Sequence, residues 1–184
     1  MKLVAIDFET ANRYSCSACS LGYVVYEEGE FLDRGSFLIR PSSKYNFFTN
    51  TFIHHITPED VKGEAEFIDR YDFIRNLLEG NVVLAHNACF DVSVLNACCD
   101  CYGLDHIPFS YLDTVTLSRR VNPELYHHNL NVVSEYLGID LDHHEAGSDS
   151  FACLMIVIKA MEKYGLYDLN DLLAHVHVNL RENH

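Results

Sequence analysis

Basic residues are scarce in this chain: 13 Lys plus Arg stand against 27 Asp plus Glu, a formal net charge of −14. Phosphate binders are usually basic, so the shortage argues against a long cationic track for DNA or RNA. It does not exclude a nuclease, because a carboxylate-rich site repels phosphate only until divalent metal fills it. No apolar run approaches the length of a membrane span, so no membrane partner is expected. Internal repeats, linkers and low-complexity segments are also lacking. Met1 to Asp7 holds one basic residue and a short apolar stretch closed by a carboxylate, which reads as a buried strand rather than a signal peptide. What is present is a chain of 184 residues, 48% of them hydrophobic, enough to fill one core. One domain over 1–184 is expected.

The seven Cys are an odd number without a secretory signal, which points to free thiols in a reducing, cytoplasmic setting. Cys16/Cys19 and Cys98/Cys101 have C-x-x-C spacing, so a four-thiolate zinc site is formally open. Neither pair sits in a Gly-rich knuckle, and 98–101 reads as helix. Small buried side chains are the alternative.

Residues 2–6 are a continuous apolar run, as in a strand buried on both faces. Residues 20–28 and 31–40 read as two more strands, with a tight hairpin at Glu28-Gly29-Glu30. A helix over 64–79 follows from Phe67, Tyr71, Ile74 and Leu78, with Gly80 as its stop. Residues 81–85 are the next buried strand, followed by a helix from 89 to 101. A short strand at 110–113 leads to helices over 114–121, 130–137 and 147–163, and a short helix over 169–178. Strands joined by hairpins, then alternating helices and strands, give an α/β layered fold with a mixed sheet.

Three motifs carry chemistry. Asp7-Phe8-Glu9-Thr10 ends the first strand. Alternation puts both carboxylates on one face, where they repel unless a cation such as Mg2+ or Mn2+ joins them. A solvated strand end is the competing reading. His86-Asn87-Ala88-Cys89-Phe90-Asp91 follows the strand at 81–85. Taken alone, Asp91 reads as a carboxylate favoured by a helix N-terminus. Its position at the carboxyl edge of a parallel sheet, with Asp7 and Glu9, raises the metal reading. His144-Glu145-Ala146-Gly147-Ser148-Asp149 opens the last long helix. His144 suits general-base work, although the neighbouring His143 leaves the choice open on spacing alone.

In order and spacing, D-x-E, H-N-A-x-F-D and H-x-A-x-x-D resemble the three motifs of the DEDDh superfamily of 3′→5′ exonucleases, in particular those similar to the epsilon proofreading subunit of DNA polymerase III. Ala11-Asn12-Arg13, Ser17 to Gly22, Ile53 to Val61, Leu117 to Arg120 and Glu135 to Ile139 agree as well. The resemblance covers residues 1 to about 163, leaving 164–184 as a C-terminal extension. One departure is His55, where that family usually has Gly.

The resemblance implies a ribonuclease H-like α/β fold, a five-stranded mixed sheet flanked by helices. It implies catalysis by Asp7, Glu9, Asp91, His144 and Asp149, with the four carboxylates holding two Mg2+ or Mn2+ ions and His144, rather than His143, as the base. Thr10, Asn87 and His54 are candidate substrate contacts, with turn or cap duty the equal alternative for Asn87. The expected partners are single-stranded 3′ ends of DNA or RNA or short oligonucleotides, with a polymerase or a second copy as candidate protein partner. A catalytically weak nuclease-fold module that only recruits nucleic acid or a polymerase is the alternative. Tyr14, Phe47, Phe48 and Phe52 are candidates to stack on bases, with core packing the stronger reading for most. Arg119 and Arg120 either touch phosphate or end a solvated helix.

Overall fold

The computed structural model describes residues 1–141 and 145–184. Strands β1 (Lys2–Thr10), β2 (Ala18–Glu27) and β3 (Glu30–Leu38) come first. Short helices α1 (Thr51–His54) and α2 (Pro58–Val61) precede α3 (Phe67–Leu78). Then follow β4 (Val82–Ala85), α4 (Ala88–Tyr102), β5 (Phe109–Asp113), α5 (Thr114–Val121), α6 (Leu130–Leu137), α7 (Ala146–Tyr164), α8 (Leu169–Val176) and β6 (Arg181–Asn183).

The sheet runs β3-β2-β1-β4-β5-β6. β4 and β5 lie parallel to β1, while β2, β3 and β6 pair antiparallel with their neighbours. The expected mixed α/β sheet is present, with six strands among the described residues rather than five. The addition is β6, whose Asn183 is buried and donates its side-chain amide to the Ile107 carbonyl at 2.8 Å. Residues 164–184 therefore complete the fold: β6 covers the edge of β5, and α8 adds Leu169, Leu172 and Leu173 to the core.

The β2–β3 hairpin turns on Glu28 and Gly29, both at positive φ. That is the backbone a two-residue loop needs to match strand twist. In α3, the four residues that set the helical period are the four that are buried. Each contributes roughly 1.5–3 kcal/mol by leaving water. The helix ends just before Gly80, which takes φ 72°.

Strand alternation divides the core in two. Val4, Ile6 and Phe8 face α3 and α4, whereas Leu3 and Ala5 face α5, α7 and α8. Asp7 and Glu9 continue the second row. They emerge where the apolar layer under α7 gives out, at the carboxyl end of β1. Because β1 and β4 are parallel, the start of α4 comes to the same edge.

Candidate active site

Asp149 lies in the first turn of α7, which crosses above the end of β1. Carboxylate oxygens of Asp7, Glu9 and Asp149 all come within 4.8 Å of one another. Asp149 is buried, and Asp7 and Glu9 are half-buried. Among the described residues no donor reaches the buried Oδ2 of Asp7. A buried, unsatisfied carboxylate oxygen is costly unless a cation or proton compensates it. Burial, then the charges of Asp91, Asp149, Glu9 and Glu145, holds the Asp7 carboxyl well above the ordinary range. Burial and Asp149 push Glu9 up to about 7. An all-oxygen donor set with this much mutual repulsion fits a hard divalent cation.

Asp91 is not a simple helix cap. It is buried, and its Oδ1 accepts the backbone N–H of Phe8 at 2.9 Å. Burial pushes its carboxyl up to about 8, against the pull of that N–H donor. Asp91 thus reaches β1 from the opposite face of the sheet. It stands outside the tight group of three, yet its charge is the largest single one acting on Asp7.

The helix start is held instead by Asp113, which sequence reasoning missed. Its Oδ1 accepts from the backbone N–H groups of Asn87 at 3.0 Å and Val115 at 3.2 Å, and its Oδ2 from Thr116 Oγ1 at 2.8 Å. One carboxylate thereby ties the beginnings of α4 and α5 together. Asp directly before a helix starting at Thr114 is the cap signal that marks it.

The structure brings Asp7, Glu9, Thr10, His54, His86 and Asp149 around one cavity of about 470 Å³. Thr10 is buried beside a β-bulge, and its carbonyl accepts from Asn50 Nδ2 at 3.0 Å. His54 is buried too. Its Nδ1 accepts the Ile56 N–H at 3.1 Å, which leaves Nε2 to donate to the Thr10 carbonyl at 3.1 Å. Both residues border the cavity while bracing its wall. Asn87 takes a left-handed backbone, φ 71°, and its side chain makes no capping bond. His143 and His144 lie outside the described residues. A larger depression, about 720 Å³, runs along Met1, Tyr26, Met161 and Tyr167, away from the three-carboxylate group.

His55 takes φ 63° at the end of α1, a conformation glycine adopts freely. The departure from the family pattern is thus accommodated with the backbone glycine would prefer. The aromatic expectation needs correction. Tyr14, Phe47 and Phe52 are exposed, and only Phe48 packs against the small cluster of Ala11, Cys19 and Val61. Tyr14 and Phe47 meet edge to face at 6.1 Å.

The seven thiols are free, and those of the C-x-x-C pairs turn to different partners. Cys19 lies against His54, Cys98 against the Ser15 carbonyl and Cys101 against Ser42. Among the described residues the thiols form no group with metal-ligand spacing. No helix among the described residues is long and apolar enough to cross a membrane.

A family model described as Exonuclease, RNase_T, matches residues 4–157. Curated relatives include DNA polymerase III PolC-type of Lacticaseibacillus paracasei, 27% identical over 176 residues, covering 92% of this chain and 12% of the relative. The PolC-type polymerase of Streptococcus thermophilus is 33% identical over 156 residues, covering 82% of this chain and 10% of the relative. The chain thus spans only about a tenth of the length of such relatives. Among solved structures, the nuclease domain of 3′hExo, a DEDDh family member bound to rAMP, has TM-score 0.76 and 18% identity, covering 100% of this chain and 96% of that one. Exonuclease X in complex with 5′ overhanging duplex DNA has TM-score 0.69 and 22% identity, covering 95% and 99%. At such identities these likenesses establish the ribonuclease H-like fold.

Proposed function

This chain belongs to the exonuclease family whose model spans residues 4–157, and from that membership we propose that it removes nucleotides from single-stranded or frayed 3′ ends of DNA or RNA. The observation that carries the reading is the meeting of Asp7, Glu9 and Asp149 within 4.8 Å, together with a buried Asp7 oxygen, Oδ2, that no donor among the described residues reaches. Residues 1–184 are read as one exonuclease domain.

Asp7, Glu9, Asp91 and Asp149 would hold two divalent ions, Mg2+ or Mn2+. When bound, such ions lower the pKa of water and neutralise charge on phosphoryl and leaving oxygens. The chain's own residues do the rest. His144 accepts a proton from the attacking water, whose oxygen bonds to phosphorus as the bond to the preceding 3′ oxygen breaks. That oxygen leaves as an alkoxide that takes a proton from solvent to become the 3′ hydroxyl, and a nucleoside 5′-monophosphate is released. Thr10 and His54 shape the wall beside the terminal nucleotide, and Asn87, outside that lining at the start of α4, contacts a phosphate of the strand. Asp91 anchors the Phe8 backbone, so the strand end that carries Asp7 and Glu9 keeps its place.

A polymerase or a second copy of the chain is the proposed protein partner, and the free thiols support a cytoplasmic setting. The test is degradation of 5′-labelled DNA and RNA of several lengths with Mg2+, Mn2+ or chelator. Ladders of shortened, still-labelled strands that need metal are expected. Undiminished cleavage in excess chelator, or loss of the 5′ label first, would overturn the proposal.

A further inference from the structure

Asp7, Gly22 and Ser36 form one row across three strands: Asp7 is paired with Gly22, and Gly22 with Ser36. Residues directly opposite in neighbouring strands present their side chains to the same face. The beginning of α7 lies along this row, residue by residue. Glu145 caps the helix by accepting the N–H groups of Gly147 at 3.2 Å and Ser148 at 2.7 Å. The same carboxylate accepts Ser36 Oγ at 3.1 Å. Ala146 and Gly147 rest on Gly22, and Asp149 closes on Asp7.

The contact at Gly22 has no slack. A Cβ there would stand 1.9 Å from the Ala146 carbonyl oxygen, 2.0 Å from its carbon and 2.5 Å from the Gly147 nitrogen. All three are backbone atoms, so no side-chain rotation relieves the clash. Gly22 has no positive φ, so its backbone alone would admit alanine. What demands glycine is the closeness of the helix. To restore ordinary contact, the first turn of α7 would have to retreat by roughly 1.5 Å.

We infer that Gly22 is a positioning residue: by leaving room for the α7 backbone, it sets Asp149 at bonding range of the metal that Asp7 and Glu9 share. The inference rests on the reading of these carboxylates as metal ligands. Ser36 supports the same placement through Glu145, on the outer side of the row. Groups that orient metal ligands typically cost about 10–100-fold in metal affinity when altered.

The experiment is titration of Mn2+ into the metal-free full chain by calorimetry, with melting curves for each variant. Gly22→Ala should stay folded and bind Mn2+ about 10–100-fold more weakly. Its turnover should recover as Mn2+ is raised, with KM for the strand little changed. Gly35→Ala is the control, since a Cβ there meets only the Tyr23 side chain at 3.2 Å, and it should bind Mn2+ as the unaltered chain does. If Gly22→Ala fails to fold, Ser36→Ala takes its place, with a smaller loss of Mn2+ affinity expected. Unaltered Mn2+ affinity in the folded variant would overturn the inference. An unaltered chain that binds Mn2+ but degrades no strand would overturn the exonuclease reading alone. One that binds no Mn2+ would overturn the metal reading and this inference with it.

Discussion

The carboxylate of Asp91 accepts the backbone N–H of Phe8 at 2.9 Å, joining residues 83 positions apart. Phe8 lies between Asp7 and Glu9, so a helix on one face of the sheet holds the strand that presents two carboxylates to the other.

On the proposed reading Asp91 has two separable duties, holding the Phe8 N–H and binding metal. Asp91→Asn keeps an oxygen for the Phe8 N–H and should melt close to the parent. Its turnover should fall by about 10²-fold or more, because metal charge stabilisation is worth several kcal/mol. Asp91→Ala additionally leaves the N–H unsatisfied and should lose about 1–3 kcal/mol of stability. Comparing melting and strand degradation separates the two. Equal destabilisation by both changes would contradict the geometry.

If metal binds at these carboxylates, the raised Glu9 and Asp91 should make stability depend on pH and metal together. Glu9 at about 7 and Asp91 at about 8 lie above their unfolded values near 4. The folded, metal-free chain therefore binds more protons than the unfolded one. This contribution is fully present below about pH 4 and is lost as pH rises through 7 and 8. Melting temperature in chelator should fall over that window. Mn2+ should raise it more near pH 8 than near pH 5, since metal binding displaces protons. Equal stabilisation at both values would argue against these four carboxylates as its ligands.

His144→Ala should lower turnover by about 10²–10⁴-fold, the usual contribution of a general base. Mn2+ binding should be largely kept, because the proposed ligands are the carboxylates. Rates measured at saturating metal check this. A greater loss from His143→Ala would transfer the role to that residue.

With 13 basic against 27 acidic residues, the isolated chain should release its substrate often. Each phosphate neutralised on a single strand steepens the salt dependence by about 0.7 log units, so few contacts mean a shallow slope. In a trap experiment, labelled strand is pre-bound, and reaction is started with metal plus excess unlabelled strand. Most labelled strands should be shortened by only a few nucleotides. Complete degradation despite the trap would show processive action.

Much of the architecture was legible along the chain because it is periodic. The spacing of Phe67, Tyr71, Ile74 and Leu78 identifies the buried face of α3, and the alternation through Asp7-Phe8-Glu9 already puts two carboxylates together. Gly103, Gly138 and Gly165 all sit at helix ends in the left-handed conformation, which is a local property. β6 was not legible. Arg181, Glu182 and Asn183 are polar, and they form a strand only because β5 offers an open edge. Tyr14, Phe47 and Phe52 read more readily as core than as the exposed surface they form.

The sequence by itself determined which residues are chemically able to form the site and which elements carry them, since side-chain type and period are encoded within a few neighbours. Only the tertiary structure decided how those residues meet. Asp91 looks like a cap until β1 is placed beside β4, which brings Phe8 within reach of its oxygen. Gly22 and Asp113 look like an ordinary strand glycine and an ordinary cap. One becomes the seat of α7 and the other the tie between α4 and α5. The reason is physical: strand register and helix approach are set by packing over the whole core, and no local window of the chain contains those distances.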